Sequence, residues 1–155
     1  MTSTLTAATL TVKITESIDL NGKDQGGSTT LSLASINEIS KRIVTVTTTE
    51  AEVVAMSTTA SSGTHIEGDV RYMRFTNLDD TNHITLTFKN ENDDEFAVKL
   101  DKGQSFIYNG DLAGGVVDTM DASGSALSLA LEDLVNITAD ADSASCDMEI
   151  FVACI

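Results

Sequence analysis

The sequence contains no proline and no tryptophan, and only 5% of its 155 residues are aromatic. Proline is one of the residues that keep the edge strands of a β-sheet from pairing with other chains. Without it, edge strands have to be protected by charge, by short length or by a neighbouring subunit. The composition therefore favours oligomerisation of any sheet protein built from this chain.

Basic residues are scarce, since 9 Lys and Arg stand against 24 Asp and Glu, for a net charge of −15. A protein that binds nucleic acid needs a basic stripe to displace counterions from the phosphates. The densest basic cluster here is the pair Lys41 and Arg42. We therefore expect no nucleic-acid partner and no anionic membrane partner, and we interpret the acidity as a solubilising surface.

Long apolar segments are missing as well. No run approaches the roughly 20 apolar residues that span a bilayer. Residues 1–8 are rich in threonine and lack the basic and apolar regions of a secretory signal. We expect a chain that is made in a cytoplasm and used without cleavage.

The two cysteines, Cys146 and Cys154, share one parity in the last apolar segment. If that segment is a single strand, they lie about 26 Å apart at roughly 3.3 Å per residue. This distance is too long for a disulfide. The sequence therefore predicts two buried free thiols.

The strongest pattern that is present is strict alternation of apolar and polar residues. Ile84, Leu86 and Phe88 share one parity, and residues 96–100 repeat the pattern after a polar loop. Such alternation is typical of half-buried antiparallel strands. We predict an all-β chain, an antiparallel sandwich or barrel, with at most one short helix, because residues 131–135 fit a helix as well as a strand.

The organisation along the chain indicates a short N-terminal arm, residues 1–8, and a single β-sandwich domain, residues 9–155. We expect strands over residues 9–20 and 146–154, and a meander of consecutive strands over residues 70–109. The predicted core consists of same-parity residues from these strands. They are Leu10, Val12, Ile14, Ile84, Leu86, Phe88, Phe96, Val98, Leu100, Met148, Ile150 and Val152.

Residues suited to catalysis or metal binding are few. A triad of Ser105, His83 and Asp79 is conceivable, but residues 103–107 lack the second glycine of a nucleophile elbow. Residues 140–143 begin like a calcium loop, yet the turn glycine and the closing glutamate are absent. We expect no enzyme activity, no cofactor and no dedicated metal site. The acidic loops at residues 92–95 and at Asp118 with Asp121 leave calcium binding as an open alternative, although Asp and Asn are also common turn residues.

Residues 74–88 (RFTNLDDTNHITLTF) and 96–106 (FAVKLDKGQSF) form a strand pair followed by a hairpin with a central glycine. This arrangement resembles a pattern in small β-sandwich structural proteins of tailed bacteriophages, of the capsid decoration or cement type. The resemblance implies a jelly-roll-like sandwich and a homotrimer. It also implies synthesis in the host cytoplasm and attachment to the major capsid protein on the outer surface of the virion.

The leading hypothesis is therefore a capsid decoration protein that clamps neighbouring capsomers. The alternatives are a phage tail, neck or fibre component, a carbohydrate-binding β-sandwich module and, more distantly, a hydrolase. Because recognition usually resides in loops on a rigid scaffold, the partner-binding candidates come from the arm, from segments 57–68 and 110–124, and from the strand end just before residue 110. They are Thr2, Thr4, Leu5, Thr64, His65, Tyr108, Leu112 and Val116.

Overall fold

A computed structural model describes residues 4–109, 117–118 and 132–155. These residues form β-strands and one short 3-10 turn, Glu67–Asp69, which confirms the predicted all-β class. The strands are β1 (Ala8–Glu16), β2 (Asp19–Leu20), β3 (Lys23–Asp24), β4 (Gly27–Ile36), β5 (Glu38–Val46), β6 (Ala51–Ser57), β7 (Thr64–Ile66), β8 (Val70–Asn77), β9 (Ile84–Asn90), β10 (Glu95–Leu100), β11 (Ser105–Asn109), β12 (Val117–Asp118), β13 (Glu132–Ala141) and β14 (Cys146–Cys154).

Two sheets pack face to face as a sandwich. One has the order β11-β8-β14-β5, and the other has the order β10-β9-β13-β6-β7, with β12 paired to β13. The ladders are antiparallel except for β6 with β7. The antiparallel pairs are nested, with β5 on β14, β6 on β13, β8 on β11 and β9 on β10. Nested pairing of eight strands in two sheets is the jelly-roll arrangement.

The predicted meander over residues 70–109 is wrong in its pairing. Strands β8 and β9 follow each other in the chain but lie in opposite sheets, β9 pairs with β10, and β11 returns to β8. Period-two alternation shows which face of a strand is buried, and it does so equally well for either sheet of a sandwich. The alternation was therefore compatible with both topologies.

The main core lies between the two sheets and contains most of the predicted residues. Phe88 of β9 is fully buried, as are Ile84, Leu86 and, from β14, Met148. Phe96 and Val98 are half-buried and pack against this core from the edge strand β10. The large side chains with no more than 1% exposure are Val70, Met73, Phe75, Ile84, Leu86, Phe88, Leu134, Ile137, Met148, Ile150 and Val152.

Strands β1 and β4 form a separate antiparallel hairpin on the outer surface of the four-stranded sheet. Leu33 and Ile36 of β4 are buried there against Tyr72 and Ala153. At the far end, β2 and β3 form a short second ladder whose residues are all exposed. The hairpin therefore has one end anchored to the sandwich and one end beyond it.

This hairpin corrects the prediction for the first strand. Leu10 and Val12 pack in the small cluster with Leu33, outside the main core, and Ile14 is 41% exposed. The strand expected over residues 9–20 ends at Glu16. The alternation identified the apolar face correctly, but Ile14 lies at an open groove between β1 and the sheet instead of in a packed core.

The C-terminal segment agrees with the prediction. Strand β14 runs from Cys146 to Cys154, and both cysteines are buried and free. Residues 132–141 form strand β13, so the helical alternative for residues 131–135 does not apply to the described part. Among the described residues, no helix has the length and apolar character needed to cross a membrane.

Candidate functional site

A polar cleft opens between the two sheets at the edge formed by β5 and β7. Three polar side chains of β5 point inward at this edge: Glu38, Ser40 and Arg42. The next two inward-facing residues of the strand are valines. Residues 61–65 face them, the floor is apolar, and the cavity measures about 320 Å³. None of the described residues that line this cleft is Phe or Tyr. Because sugar-binding clefts use aromatic faces for packing, this lining does not favour the glycan-binding alternative.

Beside this cleft, Glu38, His65 and Cys154 lie close together. His65 Nδ1 is 3.6 Å from Glu38 Oε1 and 3.8 Å from Cys154 Sγ. Burial lowers the pKa of His65 despite the opposing effect of Glu38, and burial raises the pKa of Cys154 to about 12. The thiol and the imidazole are therefore both neutral near pH 7.

This cluster lacks the geometry of a nucleophilic triad. In such a triad one imidazole nitrogen contacts the nucleophile while the other contacts the acid. Here the same nitrogen, Nδ1 of His65, faces both Cys154 and Glu38. A reactive thiol also needs a lowered pKa and some exposure, whereas Cys154 is only 2% exposed.

The triad considered from the sequence is not assembled either. Ser105 Oγ lies 2.8 Å from the hydroxyl of Thr76, and His83 Nδ1 lies 3.5 Å from Asp142 Oδ2. Asp79 accepts backbone hydrogen bonds from Thr81 and Asn82, which lower its pKa. Across the described residues, no three His, Cys, Asp or Glu side chains are placed to share a metal ion.

The polar turns that flank β9 are organised by buried asparagines. Asn77 is fully buried, and its Nδ2 donates to the carbonyls of Asn82 and Leu100 at 2.9 and 3.1 Å. Its Oδ1 accepts the backbone N–H of Asp79 at 2.9 Å. Asn90 accepts the N–H groups of Asn92 and Asp94 in the same manner. These turns thus have a structural role that explains their Asn and Asp content.

We expect Asn77→Ala to lower the free energy of unfolding by about 1–3 kcal/mol, because one buried and two partly buried backbone groups lose their partner. Urea denaturation with an unchanged m-value measures this loss. The matched control is Asn92→Ala, which removes an exposed amide from the neighbouring turn. Equal losses in both variants would show that the bonds of Asn77 are not what holds the turn.

Carboxylates gather where β13 begins. Glu91 hydrogen-bonds through its side chain with Glu132, and this contact, with the charges of Asp133 and Glu67, raises the pKa of Glu91. The backbone N–H of Glu91 donates to the Asp133 carbonyl at 3.0 Å, which holds the two segments together. Like charges are therefore kept close at neutral pH.

Glu132→Gln is expected to raise the melting temperature at pH 7. The folded chain holds the proton of Glu91 more tightly than the unfolded chain, so the repulsion acts above the folded-state pKa and disappears as pH falls through it. The gain should shrink between pH 7 and pH 4 in calorimetric scans. Glu52→Gln, at an exposed position of β6, controls for the change in net charge.

The hairpin forms the second candidate site. Its apolar face covers outward-pointing residues of the four-stranded sheet, Tyr72, Ile107, Phe151 and Ala153. An open groove of about 320 Å³ remains between β1 and this surface, lined by residues 10–14 and the sheet. The opposite face of the hairpin is polar, with Thr15 and Ser28 paired across the strands at 3.4 Å. The hairpin is thus amphipathic.

The distal part of this apolar pattern is uncovered. Ile14, Ile18 and Leu20 share one parity and are 41%, 53% and 59% exposed. We call these three residues the tip surface. An apolar side chain gains about 1.5–3 kcal/mol when it is fully buried. Burial of the tip surface against a partner would therefore add a favourable free energy that the isolated chain does not gain.

A second uncovered surface lies on edge strand β5 of the four-stranded sheet. The outward-facing residues of β5 are Ile39, Lys41, Ile43 and Thr45, and we call them the β5 face. Ile39 and Ile43 are 59% and 62% exposed. Lys41 and Thr45 contact Glu149 and Asp147 of β14 at 3.2 and 2.8 Å. Sequence reasoning missed this surface, although the apolar residues on both parities of β5 indicate it.

The partner-binding candidates that fall within the described residues lie at separate places. Thr4 and Leu5 are exposed before β1, whereas Thr64 and His65 are half-buried at the polar cleft. The ring of Tyr108 stacks on Phe88 at 5.6 Å beside the core. Three further candidates lie outside the described residues: Thr2, Leu112 and Val116.

Comparison with known proteins gives little. No family model matches the chain, and no curated protein matches it. Among solved structures, the chain is similar to one described with the words "Bacillus endospore appendages form a novel family of disulfide-linked pili". The TM-score is 0.42 at 10% identity, over 96% of this chain and 88% of that chain.

Proposed function

We propose that this chain is a non-enzymatic structural protein that works by associating with copies of itself. The observation that carries this proposal is the amphipathic β1–β4 hairpin, whose apolar face is half covered by the sandwich and half bare. Scattered exposed apolar residues are normal, but apolar groups gathered on one projecting element indicate an interaction site. The tip surface is such a group.

The absence of proline supports self-association as well. Strand β5 forms an edge of its sheet and carries no proline along its nine residues. An edge strand of this length that also exposes isoleucines is a template for pairing with another chain. A neighbouring subunit that covers the edge removes this hazard.

The burial and the raised pKa of Cys154, the best candidate for a nucleophile, support the proposal of a non-enzymatic role. Cys154 is buried, and burial raises its pKa to about 12, so almost no thiolate exists near neutral pH. His65 contacts it through the nitrogen that also faces Glu38. This cluster suits a packed edge of the sandwich better than acyl transfer.

Within this proposal, the outer surface of a virus capsid is the setting favoured by the sequence resemblance of residues 74–88 and 96–106. There the protein acts as a capsid decoration protein, with the major capsid protein and further copies of itself, in a trimer, as partners. A trimer engages several shell sites at high effective concentration, so each subunit contributes only a modest contact.

Sedimentation equilibrium of the purified chain over a hundredfold range of concentration tests the proposal. We expect a mass above that of the 16.4 kDa monomer that increases with concentration. A second measurement adds the protein to undecorated phage shells and follows binding and heat resistance. A monomeric mass at every concentration contradicts self-association. If the protein does not bind the shells and does not change their heat resistance, the capsid setting is contradicted.

A further inference from the structure

Two bare apolar surfaces of this chain extend surfaces that are already packed against each other. The tip surface continues the apolar face of the hairpin beyond Leu10 and Val12, which pack on the sandwich. The β5 face continues the outward surface of the sheet beyond Phe151 and Ala153, which the hairpin covers. The tip surface is therefore as apolar as the hairpin face that packs on the sheet, and the β5 face resembles the sheet surface that receives it.

We infer that the tip surface of one copy packs on the β5 face of a second copy, an inference that rests on the proposed self-association. In β14, Ala153 pairs directly with Ile39, and strands in a sheet are about 4.8 Å apart. A hairpin from a second copy therefore lies beside the chain's own hairpin on one sheet surface. In that position the second hairpin packs on the sheet in the same way as Leu10 and Val12 of the chain's own hairpin.

The spacing of the apolar residues agrees with this packing. Ile39 and Ile43 are four residues apart in β5, about 13 Å along a strand. Ile14 and Ile18 are also four residues apart, at most the same distance. Each surface thus offers two isoleucines within about 13 Å of each other along the chain.

Charge favours the hairpin as the contacting element. Residues 1–36 hold two lysines and three carboxylates, a net charge of −1, so −14 of the chain's −15 lies elsewhere. Two sandwiches in direct contact bring these large negative charges together, and the repulsion opposes association. A nearly neutral hairpin that projects from one copy avoids this repulsion.

The β5 face offers a local charge pattern that tolerates such a hairpin. Lys41 Nζ lies 3.2 Å from Glu149 Oε2, and Arg74 binds the other oxygen of Glu149 at 2.6 Å. Asp147, which accepts a hydrogen bond from Thr45, is the second carboxylate on this surface, so two cations stand against two carboxylates. The bare isoleucines therefore stand beside a balanced row of charge within an acidic protein.

The contact is heterologous, because it joins two different surfaces of the same chain. Such a contact closes into a ring when the rotation between copies allows it, and otherwise produces an open filament. A closed ring of three copies corresponds to the trimer expected from the sequence resemblance. Every copy offers one tip surface and one β5 face in either case.

Two double variants and their mixture test the inference by sedimentation velocity. The tip variant is Ile18→Ser with Leu20→Ser, and the face variant is Ile39→Thr with Ile43→Thr. All four side chains are exposed, so the fold should persist, and circular dichroism checks this. Leu5→Ser is the matched control, since Leu5 is 69% exposed and belongs to neither surface.

We expect each variant alone to associate at least roughly a hundredfold more weakly than wild type, since each loses two apolar contacts worth about tenfold apiece. The control should associate like wild type. An equimolar mixture of the tip and face variants should form dimers and stop there, because only one intact pair of surfaces remains.

The remaining outcomes distinguish a failure of this inference from a failure of the proposed function. If wild type assembles and the face variant assembles equally well, the hairpin contacts another surface, and the inference is overturned while the proposed function stands. If the mixture grows beyond dimers, the contact is not between these two surfaces. If wild type is monomeric at all concentrations, the proposed function fails, and the inference fails with it.

Discussion

Truncation of Phe88 to alanine should lower the free energy of unfolding by about 3–5 kcal/mol. Phe88 is fully buried in β9 and is the centre of the aromatic core. Its ring stacks on Phe96 at 4.7 Å and makes an edge contact with Phe75 at 6.0 Å. It also packs against Phe106 and Tyr108. The cavity left by truncation adjoins both sheets, so neither sheet can collapse into it alone.

Two further variants make this expectation specific. Phe96→Ala should cost clearly less, because Phe96 is half-buried on edge strand β10 and part of its surface already contacts water. Ile150→Ala in β14 should cost about 2–5 kcal/mol. Chemical denaturation of the three variants under the same conditions gives the comparison. Losses below about 1 kcal/mol at both Phe88 and Ile150 would contradict the register of β9 and β14.

Replacement of Leu33 by alanine should release the hairpin without unfolding the sandwich. Leu33 is buried in the small cluster with Tyr72 and Ala153, which is separate from the main core. A loss of about 3 kcal/mol raises the detached population roughly a hundredfold. An isolated two-stranded hairpin is marginally stable in water. Detachment therefore also melts the ladder between β1 and β4.

Amide hydrogen exchange measures this release residue by residue. We expect exchange in β1 and β4 to accelerate about a hundredfold, while amides of β8 and β14 keep their protection. Thr30→Ala is the control, since Thr30 is an exposed residue of β4 and belongs to neither core cluster. Equal acceleration in the hairpin and the sandwich would mean that both unfold as one cooperative unit.

The candidate site was less accessible to sequence reasoning than the fold. His65 was expected at a partner surface in a loop, and the structure places it beside Glu38 and Cys154, which are 27 and 89 residues away in the chain. Such proximity depends on how β5, β7 and β14 meet at one edge, and no local pattern reports it. Nor does spacing show that one nitrogen of His65 faces both neighbours.

Local sequence was enough to predict the all-β class, the strand that ends at Cys154, and the parity of buried residues such as Leu86 and Met148. Alternation is sufficient for these features, because successive side chains of a strand point to opposite faces. The scarcity of basic residues likewise argued against nucleic-acid partners. These conclusions depend on composition and on near neighbours in the chain.

Strand pairing and the coverage of apolar faces, in contrast, depended on the packed molecule. β8 and β9 have similar patterns, yet they lie in opposite sheets, and Ile14 has the parity of Leu10 but remains exposed. Alternation specifies that one face of a strand is apolar. Whether that face is buried depends on which other element packs against it and on the length of that element. The four-stranded sheet buries Leu33 of the hairpin but leaves Ile14, Ile18 and Leu20 exposed, and these three residues form the tip surface.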